Sequence, residues 1–130
     1  MAWLSFCLCA LLPGAHAFAE QKAWDGGGGN TDWNTAANWS PDGVPVATDD
    51  VLIGAAFPLV VHSTGTHGVA TLNCATDLTI SGGQLSVEKS GTISGRLTVT
   101  NATLAGSGSI TLTAIGNSFS SATLSGDGAV

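Results

Sequence analysis

Residues 69–130 read VATLNCATDLTISGGQLSVEKSGTISGRLTVTNATLAGSGSITLTAIGNSFSSATLSGDGAV. The segments LTI, LSV, LTV and ITL each put aliphatic residues at i and i+2. That is the two-residue period of a strand with one buried face. Thr fills many of the remaining strand positions, where its β-branch is favoured. Gly, Ser and Asn separate the runs and read as turns. No stretch carries the 3.6-residue period of an amphipathic helix.

The runs also repeat. ATLAGSGSI (Ala102–Ile110) matches ATLSGDGAV (Ala122–Val130) twenty residues on. ISGGQLSV (Ile80–Val87) resembles ISGRLTV (Ile93–Val99). Gly91-Thr92-Ile93, Gly108-Ser109-Ile110 and Gly128-Ala129-Val130 look like one corner in successive turns. Short strands, tight corners and a period near twenty predict a β-solenoid. One coil cannot bury its own apolar face. Stacking on the next coil at about 4.8 Å pairs the backbone and closes the core. The expected inward ladder is Leu72, Leu78, Ile80, Leu85, Val87, Ile93, Leu97, Val99, Leu104, Ile110, Leu112, Ile115 and Leu124. A β-sandwich with coincidental internal similarity is the alternative, because alternating strands with frequent turns suit it too.

Upstream, the texture differs. Residues 21–54, QKAWDGGGGNTDWNTAANWSPDGVPVATDDVLIG, are rich in turn formers and punctuated by Trp24, Trp33 and Trp39. Strand character begins at Val51-Leu52-Ile53 and returns in FPLVVH (Phe57–His62), with Pro58 at the strand's start or edge. The first residues read differently again. AWLSFCLCALL (Ala2–Leu12) is an apolar run, Pro13-Gly14 breaks it, and AHA (Ala15–Ala17) and AFA (Ala17–Ala19) offer small-x-small cleavage sites. The n-region lacks Lys and Arg, yet the pattern predicts a secretory signal, and the run is short for a membrane span. The expected organisation is a signal peptide over 1–19, a Trp/Gly/Asp-rich cap over 20–50, and solenoid coils over 51–130. GDGAV sits at a coil corner without a polar cap, so the chain is expected to be the N-terminal fragment of something longer, or a truncated gene product.

Composition narrows the partners. The net charge is -6, and Lys22, Lys89 and Arg96 stand far apart, so no basic patch is available for nucleic acid. With the signal removed, Cys74 stands alone, expected as a small buried hydrophobe rather than a nucleophile.

WDGGGGNTDWNTAANWSPDGVPVATDDVLIG resembles the N-terminal entry segment of bacterial secreted and cell-surface proteins that carry autotransporter-associated β-strand repeats. The features are Trp24-Asp25 with its Gly run, Trp33, Asn38-Trp39, Pro45 and Asp49-Asp50 before an apolar strand. LTISGGQLSV and TLAGSGSITL resemble the same family's Gly-rich coils. The resemblance implies a right-handed parallel β-helix, export to the medium or cell surface, and a stalk or adhesin-like passenger role. It brings no shared catalytic residues. Its translocator barrel and surface-sorting tail have no counterpart in these residues.

Candidate chemistry is sparse. Trp24, Trp33 and Trp39 are ligand-binding candidates: exposed rings could stack on sugars. The competing expectation is that they fold over the open first coil as a cap. GGGNTDWN (Gly27–Asn34) approaches a calcium-binding nonapeptide but departs at Asn30, so a turn is expected. Asp49 and Asp50 could join Asp32 or Asp42 around calcium, although neighbours in one strand face opposite ways. A solvated turn with one Asp on the backbone is the stronger expectation there. His62 and His67 fit no zinc spacing and are expected at the surface. Glu88 and Asp77 lack the clustered partners of a polysaccharide-cleaving site. The sequons at Asn38 and Asn101 matter only in a glycosylating host.

The expectation is therefore a non-catalytic structural or adhesin-like segment with no cofactor, no metal and no enzyme activity. Its expected partners are extracellular glycans, host or cell surfaces, and further coils of the same chain. Two alternatives stand: a carbohydrate-binding module built on the Trp segment, and the entrance to a longer secreted polysaccharide-active enzyme.

Overall fold

A computed structural model describes residues 19–126. Residues 1–18 of the predicted signal and the final corner at Gly128-Ala129-Val130 lie outside them. The strands are β1 (Gln21–Trp24), β2 (Trp39–Ser40), β3 (Asp50–Ile53), β4 (Leu59–His62), β5 (Thr66–Cys74), β6 (Asp77–Ile80), β7 (Gln84–Ile93), β8 (Leu97–Thr100), β9 (Thr103–Ala105), β10 (Ser109–Leu112), β11 (Ser118–Ser120) and β12 (Thr123–Leu124). A single 3-10 turn spans Ala36–Asn38 among the described residues. The pairings are parallel except for β1 with β2.

Parallel pairing between strands about twenty residues apart makes a β-solenoid of about four turns. The sandwich is excluded, since its sheets are built from antiparallel strands. The strands form three columns. The first stacks β1, β3, the end of β5, the end of β7 and β10. The second stacks β4, β6, β8 and β11. The third stacks the starts of β5 and β7 with β9 and β12. The long strands β5 and β7 serve two columns each, and their mutual register shifts between Val69 and Thr71, where the chain turns from one column to the next.

Register explains the repeats. Thr103 and Leu104 pair with Thr123 and Leu124, which is the twenty-residue match in the sequence. The likeness of Ile80–Val87 to Ile93–Val99 has another origin: Ile80 stacks on Val99, while Ile93 belongs to another column beneath Cys74. Those two segments are corners of one coil, not successive coils. Likewise Gly91-Thr92-Ile93 pairs with Ile110-Thr111-Leu112, two residues beyond Gly108.

The ladder runs inward as Leu72, Leu78, Ile80, Leu85, Val87, Ile93, Leu97, Val99, Leu104 and Ile110, all buried. Each such aliphatic side chain contributes about 1.5–3 kcal/mol. Leu112 is half-buried against this core. Two expected rungs differ. Ile115 is 92% exposed, because it lies in the loop between β10 and β11 rather than on a strand. Leu124 is in register below Leu104 yet 47% exposed, because no described strand lies beyond β12. Cys74 is buried in the ladder, its Sγ donating to the Thr76 carbonyl at 3.1 Å. Burial pushes its thiol up to about 11, so it is inert as a nucleophile at neutral pH.

Candidate functional site: the tryptophan–histidine cap

The segment between β1 and β3 covers the first coil on all three columns. In the first column, β1 itself pairs with β3. In the second, Thr31–Trp33 runs parallel to β4: the Val61 amide donates to the Thr31 carbonyl and the Trp33 amide to the Val61 carbonyl, both at 2.8 Å. In the third, the turn over Val46–Asp49 lies beside β5, and the Ala70 amide donates to the Asp49 carbonyl at 2.8 Å. Edge groups that would otherwise stand open are thereby paired.

The three tryptophans lie inside this cover. Trp33 and Trp39 are 0% exposed and Trp24 is 5% exposed. Trp24 packs edge-to-face on Trp39 with ring centroids 5.0 Å apart, and Trp33 on Trp39 at 4.8 Å. Each such pair adds about 0.5–1.5 kcal/mol beyond burial. The Trp39 indole N–H donates to the Trp33 carbonyl at 2.9 Å. A stacking platform needs ring faces open to solvent, and these rings are buried against one another. The arrangement is that of a cap.

One asparagine holds the cap loop. The buried Asn38 side chain accepts from the Gly28 amide at 2.9 Å and donates to Asn30 Oδ1 at 2.8 Å and the Asp32 carbonyl at 3.0 Å. Its backbone carbonyl accepts from the Asp25 and Gly26 amides. The Gly run exists to wrap this hub. A Cβ on Gly28 would stand 2.5 Å from Thr35 Cγ2 and 2.8 Å from Asn38 Oδ1, and Gly26 has φ +68°. The nonapeptide-like stretch is thus a turn. Asp32 Oδ1 accepts from the Asn34 amide at 2.9 Å. Asn38 is sealed from modification, whereas Asn101 is exposed at a corner.

Asp49 closes the turn before β3 and Asp50 opens the strand. Asp49 is buried, not solvated, and its Oδ2 accepts from the Val46 amide at 2.9 Å. Asp50 is exposed and accepts from Thr71 Oγ1 at 2.8 Å. Among the described residues no group of three or more His, Cys, Asp or Glu is placed to hold a metal ion. Asp77 and Glu88 lie in different sheets, each bonded to the following coil: Asp77 accepts from the Arg96 amide, Glu88 from Ser107 Oγ.

The histidines correct the expectation most sharply. His62 is 0% exposed and His67 half-buried. His62 stacks on Ile80 and, through it, Val99, while His67 stacks on Leu85 and Leu104. Both are therefore first rungs of hydrophobic ladders, and they meet under the cap. Their rings are T-shaped at 5.0 Å, and Trp33 lies 5.9 Å from His62. His62 Nδ1 lies 3.1 Å from the Gly82 carbonyl and His62 Nε2 lies 2.9 Å from His67 Nδ1. Gly82 O can only accept, so His62 carries its proton on Nδ1. His62 Nε2 then accepts, and His67 Nδ1–H donates to it. Burial, then repulsion from His67, holds the His62 imidazolium below the ordinary histidine range, against opposing help from the Gly82 carbonyl and Asp32. Burial lowers His67 as well.

A third first rung is Lys22, stacked on Val51 and Leu72. Its ammonium donates to the Pro41 carbonyl at 2.9 Å and meets Glu20 at 3.2 Å, tying the loop after β2 to the end of the core.

Comparison of the chain with protein-family models, with curated proteins and with solved structures returns no match.

Proposed function

We propose that the chain is a non-catalytic structural segment of an exported or cell-surface protein, an adhesin-like or stalk-forming β-solenoid. The observation that carries this reading is the in-register exterior of the first column. Thr71, Ser90 and Ser109 form one outward rank, and Asn73, Thr92 and Thr111 another. Neutral hydroxyl and amide groups recur from β5 onward, following Asp50 and Leu52 in β3, while the three tryptophans of the cap segment are buried over the first coil. Such a surface extends by addition of coils and suits presentation over a length. Extracellular glycans and cell surfaces are the partners this reading favours. The resemblance to autotransporter-associated repeats, with its export signal, belongs to the same proposal.

The test is to express the full chain with its own N-terminus in a bacterial host. Intact cells and medium are then probed with a membrane-impermeant amine-reactive label. The proposal expects labelled protein whose N-terminus begins after Ala17 or Ala19. Unlabelled cytoplasmic protein that retains the residues before Ala15 would overturn it.

A further inference from the structure

The His62–His67 pair joins two ladders at the point where the cap meets the first coil. Its hydrogen bonds run one way, from His67 Nδ1–H to His62 Nε2 and from His62 Nδ1–H to the Gly82 carbonyl. That polarity makes its two protonation steps unequal. A proton added at His67 Nε2 leaves both bonds intact, because His67 Nδ1 still donates and His62 Nε2 still accepts. A proton added at His62 Nε2 removes the acceptor. Two N–H groups would then face each other at 2.9 Å, with two positive charges on adjacent rings.

We propose that this pair is an acid-operated latch: it holds the tryptophan cap on the first coil while His62 is neutral and loosens it when both rings are protonated.

The surroundings support a latch rather than a fixed ion pair. From the cap, Asp32 is the carboxylate that faces His62, and its Oδ1 is already bonded to the Asn34 amide. From β5 comes His67. From β6 comes Ile80, alongside His62, while Asp77 stands at the other end of that strand opposite Leu59. The corner after β6 offers only the Gly82 carbonyl. Asp32 favours the His62 imidazolium, while burial is the named influence on His67. The contact with Trp33 transmits any displacement of His62 to the Trp33–Trp39 stack.

The sign of the effect follows from linkage. Both rings bind protons less readily folded than unfolded, with burial the first cause in each. The unfolded chain therefore takes up protons first as pH falls below about 6.5. The pair's contribution is present above that pH and is lost as pH falls toward the lowered folded values. Each extra proton bound by the unfolded state raises the unfolding equilibrium constant roughly tenfold per pH unit in that window. The latch depends on the cap geometry and not on where the protein is located in the cell.

The test compares the full chain with His67→Asn. An Asn amide can replace the Nδ1–H donor toward His62 but takes no proton. Thermal and denaturant unfolding are followed from about pH 7.5 to about pH 5, the range that brackets ordinary histidine titration. The variant is expected to lose stability less steeply with acid, by about one proton in the slope. Carboxylates titrate in both proteins and cancel in the difference. Ring 15N spectra of the unmodified chain give a second readout that does not depend on the variant folding. They are expected to show both rings as Nδ1–H tautomers at neutral pH, with His67 charging before His62 and the Trp39 indole signal shifting as His62 charges. Equal slopes in the two proteins would overturn the latch. So would His62 titrating at the ordinary histidine pKa with the Trp39 signal unmoved.

Discussion

The cap and the coils bury their side chains by different means. From β5 onward the coils bury many similar aliphatic rungs, and each rung repeats its neighbour at intervals of 18 to 20 residues, as from Thr66 to Gln84 and from Leu104 to Leu124. Between β1 and β3 the paired residues Gln21 and Asp50 are 29 apart, and the inserted residues hold three tryptophans and one buried asparagine hub. A coil inherits its cover from the next coil, so ordinary Leu, Ile and Val suffice. The first coil inherits none. It is closed by large rings, by an amide that satisfies several backbone groups at once, and by polar first rungs: Lys22, His62 and His67. The difference teaches where this fold concentrates its energy. In the coils stability is spread over interchangeable positions. In the cap it rests on a few side chains that are not interchangeable.

Substitutions can break or sharpen that contrast. The largest effect is expected from Trp39→Ala, which removes the ring contacting both other tryptophans and the donor to the Trp33 carbonyl. Loss of about 3–5 kcal/mol is expected in denaturant unfolding. A loss under 1 kcal/mol would mean that the rings are ornaments on a self-sufficient coil. Leu85→Ala, a central rung between His67 and Leu104, is expected to cost about 2–5 kcal/mol. Asn38→Ala should follow, at about 1–3 kcal/mol for leaving the Gly28 amide and its neighbours unpartnered. Ile115→Ser is expected to change stability by no more than about 0.5 kcal/mol, since the side chain is exposed. A cost comparable to that of Leu85→Ala would return Ile115 to the ladder.

How far the sequence displayed this structure differs between the two regions for the same reason. Alternation and a near-twenty period are visible in residues 69–126, because every coil obeys one burial rule. Most of the ladder was legible in them. Register was harder: Ile80 and Ile93 begin similar phrases but belong to different columns, and similarity alone does not separate corners from coils. Ile115 is aliphatic but lies in a loop, where alternation carries no information. The Trp and Gly content of residues 20–50 was legible, yet the wiring of that segment was not, because Asn38, Asn30 and Asp32 meet through a turn without periodicity. The histidines carried a signal that isolated inspection misses. In LVVH, His62 alternates with the inward Val60, and in register it falls above Ile80. Aligning the coils before judging the histidines would have placed it inside.

The most direct test of the cap is hydrogen exchange at the indole N–H groups, followed by NMR at neutral pH. Trp33 and Trp39 are sealed in the cap, and the Trp39 indole is bonded to a carbonyl. Both are predicted to exchange no faster than the central amides of β5 and β7, through the same opening that unfolds the coils. Indoles that exchange at the rate of a free side chain, while those amides stay protected, would contradict the claim that the tryptophans close the solenoid.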